Sequence, residues 1–141
     1  MSKRHRRILS IHWGFIPGGG AVYARHIENV GLYAPVSMNS ICINSSSWPF
    51  DASNASSIKM DIIEIKGRSD FSWMKKVRAI IKKELPDLIL VHGFNGAFVG
   101  AVAGYGLGVP IVSSWHGDYF PSTPAQRIRR PFFDILLKIL F

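Results

Sequence analysis

"PDLILVHGFNGAFVGAVAGYGLGVPIVSSW", residues 86–115, holds two short apolar runs separated by a stretch of small residues. "DLILV" (87–91) and "PIVSSW" (110–115) read as buried strands, and 94–107 between them as a helix. In that helix Gly96, Gly100 and Gly104 recur every four residues and give it one smooth side. The spacing also occurs in membrane helices, but the segment is too short to span a bilayer, so close packing on a sheet is the better account. Strand, crossover helix and strand form the unit of a parallel sheet.

The same alternation extends toward the N-terminus. "ILSIHW" (8–13) is a strand, and 21–30 a helix with Val22, Ile27 and Val30 on one face, stopped by Gly31. "VSMNSICIN" (36–44) and "MDIIEI" (60–65) are further strands, flanking a serine-rich loop at 45–57. From Phe71 to Leu85 the apolar residues Phe71, Met74, Val77, Ile81 and Leu85 follow a helical period, with Lys75, Lys76, Lys82 and Lys83 on the wet face. Pro86 ends that helix. "TPAQ" (123–126) resembles a capping box for a last helix, kinked at Pro131. The order β-α-β-β-α-β-α-β-α predicts an α/β fold: a doubly wound, Rossmann-like, mostly parallel sheet.

The 141 residues suffice for one core and one domain. Seventeen Lys and Arg against nine Asp and Glu give +8, which favours phosphates, acidic headgroups or other anionic partners. One cysteine, Cys42, excludes an internal disulfide framework and fits a reducing compartment. The first apolar run is short and broken by His12, so it reads as a strand rather than a signal peptide. The Asn-x-Ser triplets at Asn44 and Asn54 therefore carry no weight as glycosylation sites. "RPFFDILLKILF" (130–141) is apolar nearly all round apart from Asp134 and Lys138. Such a helix needs a cover, which suggests the front part of a longer protein, or a segment resting on a membrane or partner.

In open α/β sheets, ligands bind beyond the carboxyl ends of the strands, where strand order reverses. "GFIPGGG" (14–20), "HGFNG" (92–96) and "HGD" (116–118) each follow a strand. They gather Gly18, Gly19, Gly20, His92, Gly93, His116, Gly117 and Asp118 on one rim. A glycine-rich turn before a helix can hold an anion against free N–H groups, and it serves equally as a tight turn with left-handed dihedrals. The triplet does not follow the G-x-G-x-x-G spacing, and the second strand ends Ile43-Asn44 without an acidic residue. Both facts disfavour a dinucleotide-dependent oxidoreductase. His92 and His116 stand at strand ends before glycine, where side chains face the crevice. His116 can bind a sugar hydroxyl or phosphate or move a proton, and Asp118 beside it can also be a turn or capping residue. His5, His12 and His26 read as structural or surface residues. The Arg127, Arg129 and Arg130 cluster beside Phe132 and Phe133 suits an anionic membrane surface. No nucleic-acid-binding motif or aromatic platform stands out.

Together "ILSIHWGFIPGGGAVYARHIENV", "PDLILVHGFNGAFVGAVAGYGLGVPIVSSWHGD" and "RIRRPFFDILLKILF" resemble the N-terminal domain of GT-B glycosyltransferases of family 4. The resemblance implies two Rossmann-like domains facing across a cleft, an N-terminal acceptor side and a C-terminal donor side. It implies retaining transfer from a UDP- or GDP-sugar, without a metal or other cofactor. It assigns residues 1–141 to the N-terminal domain, short of its last strands, with the donor-binding domain and its paired glutamates absent. This chain alone is then expected to be inactive. Gly18 to Gly20 would lie near the donor phosphates and the acceptor, His116 near the transferred sugar, and His92 on the acceptor side. Many relatives carry a histidine two residues before the position of His92, where this chain has Leu90. The expected setting is cytoplasmic, peripheral at the inner face of the membrane, with a cell-envelope glycan or lipid-linked acceptor. The alternative is a non-catalytic half-transferase that recruits a partner chain or a membrane.

Overall fold

The computed structural model describes residues 5–14, 34–45, 60–67 and 69–114, with the single positions 26, 29, 131, 135 and 138. Five strands run through it: β1 (Arg6–Trp13), β2 (Val36–Ser45), β3 (Met60–Ile65), β4 (Leu88–His92) and β5 (Ile111–Ser114). They form one sheet in the order β3-β2-β1-β4-β5, and every neighbouring pair is parallel. The Rossmann-like α/β reading therefore holds. The serine-rich loop at 45–57 and the capping box at 123–126 lie outside the described residues, apart from Ser45, which ends β2. Of the helix read at 21–30, only His26 and Asn29 are described, and both are helical.

Side chains alternate across each strand, and the two faces of the sheet differ in chemistry. Leu9, Ile11, Ile41, Ile43, Ile63, Ile65, Ile89 and Val91 build an apolar core on one face. The opposite face carries Ser10, His12, Ser40, Cys42 and Leu90, which are also buried. Burial on both faces is the usual condition of a parallel sheet.

Two helices cover the apolar face. Helix α1 (Ser72–Glu84) buries Trp73, Val77 and Ile81, spaced four apart, and its lysines stay in water. Trp73 meets Trp13 and Phe98 edge to face at 5.9 and 6.0 Å. The apolar stripe read from the sequence included Phe71 and Leu85, but these are 55% and 61% exposed because the helix has not begun at one and has ended at the other. Leu85 turns into the left-handed region, φ 46°, while its N–H bonds the Ile81 carbonyl. Pro86 follows and disfavours a continued helix.

Asp70 fixes the other end of α1. Its Oδ1 accepts the Ser72 N–H and its Oδ2 the Lys66 N–H, both at 2.9 Å. The Lys66 backbone donor, followed by the Ser72 hydroxyl and N–H, lowers this carboxyl from 3.8 to about 2.

Helix α2 (Gly93–Gly104) packs on β1, β4 and β5 with its glycine side. A Cβ at Gly96 would come within 3.1 Å of the Ile11 carbonyl oxygen, and one at Gly100 within 2.5 Å of Val91 Cγ1. One at Gly104 would stand 3.2 Å from Ile111 Cδ1. The smooth side thus lets the helix approach the sheet closely. At its far end Arg78 of α1 donates to the Ala103 and Tyr105 carbonyls at 3.0 and 2.7 Å. A cation there satisfies orphan carbonyls and complements the helix dipole. Among the described residues, no helix is long and apolar enough to cross a membrane.

Candidate functional site

The strand order places the topological switch point between β1 and β4. From β1 the sheet grows one way through β2 and β3, and the other way through β4 and β5. A crevice opens at the carboxyl ends of the two central strands in such sheets. The residues there are His12 and Trp13 on β1 and His92 on β4.

Both exits from the strands are built by glycine in the left-handed region. Gly14 has φ 68° and donates its N–H to the Ile43 carbonyl at 2.8 Å, so the β1–β2 pairing continues past the strand before the chain turns. Gly93 has φ 65° and is the first residue of α2, which starts directly after His92. An L side chain is strained at either position. The first turn of α2 carries no acidic side chain, so the positive end of its dipole is not offset there.

The side chains of His12 and His92 meet at this edge. Their rings stack with centroids 4.5 Å apart and planes 4° from parallel. Both Nε2 atoms lie 3.0 Å from Ser10 Oγ. Ser10 is 0%, His12 3% and His92 9% exposed, so the cluster is shielded from bulk water. Buried polar groups at such a place are held by one another, as these are. Among the described residues, no three His, Cys, Asp or Glu side chains form a metal-ligating group.

Two of the site residues read from the sequence, His92 and Gly93, stand at the switch point. The others, Gly18, Gly19, Gly20, His116, Gly117 and Asp118, lie outside the described residues, as do Arg127, Arg129 and Arg130. His12, read as structural, joins His92 through Ser10. A signal for it was present: Ser10 and His12 are the polar pair, two apart, inside the otherwise apolar run 8–13.

Residues 56–141, more than half of the chain, match the model of the family described as Glycosyltransferase Family 4. No curated protein matches the sequence. Among solved structures, a UDP-N-acetylglucosamine 2-epimerase is similar with a TM-score of 0.70 and 12% identity, over 96% of this chain and 38% of that one. A UDP-GlcNAc 2-epimerase from Neisseria meningitidis, bound to UDP-GlcNAc, gives 0.61 and 14% over 93% of this chain and 38% of its own. A glycosyltransferase from Rickettsia africae ESF-5 gives 0.56 and 17%, over 95% and 35%. At these identities the likeness is one of fold, and this chain spans little more than a third of each of these proteins.

Proposed function

Because this chain belongs to glycosyltransferase family 4, we propose that it forms the acceptor-side half of a retaining glycosyltransferase. Its donor is a UDP- or GDP-sugar and its acceptor a cell-envelope glycan or lipid-linked saccharide. The donor-binding half is supplied in addition to residues 1–141, and the complete site works in the cytoplasm at the inner face of the membrane. The net charge of the chain, +8, supports contact with anionic headgroups there.

The observation that carries the reading is the position of His92 and Gly93 at the switch point, beside the left-handed exit at Gly14. In this proposal Gly18, Gly19 and Gly20 let the backbone approach the diphosphate, where any side chain would intrude. His92, Gly93, Gly117 and Asp118 line the acceptor and sugar. His116 is the catalytic residue, touching the transferred sugar. In the reaction the acceptor oxygen bonds to the anomeric carbon, the bond to the diphosphate breaks, and the acceptor proton leaves with the diphosphate. No cofactor enters this scheme.

The test is an assay of the protein, supplied with its donor-binding half, with labelled UDP- and GDP-sugars and a lipid extract from its host. Transfer of label to lipid or glycan is expected, with a loss of about a hundredfold or more in His116→Ala, on the scale of a lost contact that orients the reacting sugar. Conversion of the free sugar nucleotide without an acceptor would instead favour an epimerase. No turnover of either donor by well-folded protein supplied with its donor-binding half would contradict the transferase reading and leave the binding-module alternative.

A further inference from the structure

Trp73, Val77 and Ile81 fix the side that α1 gives to the sheet. At about 100° per residue, the opposite side carries Lys75, Ala79 and Lys82, flanked by Lys76 and Lys83, and all of these are exposed. The two lysine pairs stand two turns, about 10 Å, apart along the helix. The carboxylates around them are occupied or few. Glu84, on the sheet side, accepts from the Asn39 amide at 2.9 Å, and Asp70, beside Lys76, accepts the Lys66 and Ser72 N–H groups. Asp61, on the same side of edge strand β3, is a single exposed carboxylate against the four lysines.

Next to this basic strip the chain is uncharged. No Asp, Glu, Lys, Arg or His occurs from Gly93 to Ser114, a stretch that includes all of α2. Large apolar side chains are exposed around α1. Phe71 stands four residues before Lys75, and Leu85 at the far end of the helix. Tyr105, 68% exposed, follows α2, and Arg78 of α1 holds its carbonyl at 2.7 Å. Lysines with an apolar rim and an uncharged flank make a face suited to the headgroup layer of a bilayer. A nucleic acid would answer the lysines alone. A bilayer answers them with phosphates and the flank with hydrocarbon.

We propose that α1 docks flat on an anionic lipid surface, with Lys75, Lys76, Lys82 and Lys83 on the headgroup phosphates and Phe71, Leu85 and Tyr105 entering at the rim. A crossover helix between parallel strands runs antiparallel to them, so the strands lie along the membrane. The edge with His12 and His92 then faces sideways, held off the headgroups by about 10 Å, the thickness of one helix. That height admits a saccharide standing on its lipid rather than the lipid tail. This last consequence rests on the proposed transferase reading; the docking does not.

The experiment is co-sedimentation of the intact chain with vesicles of phosphatidylcholine alone and of phosphatidylcholine mixed with phosphatidylglycerol. Binding should require phosphatidylglycerol and weaken with added salt. Lys82→Gln should weaken it roughly fivefold, the scale of one charge near the surface, and all four lysines changed to Gln about a hundredfold or more. Arg6→Gln, the same charge lost on the other face of the sheet, should change it far less. Spin labels read the orientation, placed at Ala79→Cys and, on the other face, at Ile62→Cys, since the native Cys42 is buried. On the mixed vesicles the label at 79 should become shielded from a water-soluble relaxation agent, and the label at 62 should stay open to it. Undiminished binding by the fourfold lysine variant, or a shielded label at 62 with 79 open, would overturn this face as the docking site. No binding of the native chain to the mixed vesicles, with or without binding to an RNA oligonucleotide, would overturn lipid docking itself. No sugar nucleotide is present, so this inference and the transferase reading fail separately.

Discussion

Ser10 and His12 lie in the middle of an apolar strand, and their spacing of two sends both to one face. Taken singly, His12 is indistinguishable from a satisfied core histidine. What makes it a site residue is the pairing of β1 with β4, which joins residues some 80 apart in sequence and leaves no mark on either segment. Leu90 illustrates the same limit. The family resemblance implies a histidine there, yet Leu90 sits level with Ser10. The stacking partner of His92 comes from the neighbouring strand instead. Asp70 is a residue whose effect can be isolated. Its carboxyl is lowered to about 2, so the bonds it accepts from Lys66 and Ser72 stabilise the fold fully above pH 3.8 and are lost as pH falls toward 2. In an acid unfolding series, Asp70→Ala should flatten the fall in stability across that window. An unchanged slope would show that other carboxylates carry it.

Helix α2 was legible as an element because its glycines, four apart, leave a side that only a close neighbour can use. That neighbour is the sheet, and Gly100 is its tightest point. Gly100→Ala sets two effects against each other. Alanine improves helix propensity by about 1 kcal/mol, while overpacking a filled core costs roughly 1–3 kcal/mol. Val91 is fully buried and β-branched, so it cannot turn aside cheaply from a Cβ at 2.5 Å. Packing should win. Thermal or denaturant unfolding of Gly100→Ala should show a net loss of up to about 2 kcal/mol. A gain would mean the helix can lift off the sheet at little cost. The ends of α1 were less legible, since Phe71 and Leu85 fit its period yet stand outside it. Periodicity does not register a helix that starts after an Asp-anchored turn and stops at a left-handed residue before proline.

Across the whole molecule, the alternation of short apolar runs and helical patterns was enough for a parallel α/β sheet. The order β3-β2-β1-β4-β5 was not readable, because it depends on which strand edge each crossover chooses. That order is what turns a set of strand-end histidines and glycines into one edge, with His12, Gly14, His92 and Gly93 around the switch point. The rule that such edges bind ligands came with the fold; which ligand did not. The most direct measurement is the map of backbone amide shifts when UDP- and GDP-sugars are added in turn to the protein supplied with its donor-binding half. One of the two donors should shift His12, Gly14, His92 and Gly93 and leave the opposite edge, at Val36, Leu88 and Ile111, in place. Shifts confined to that opposite edge, or none with either nucleotide, would contradict the account.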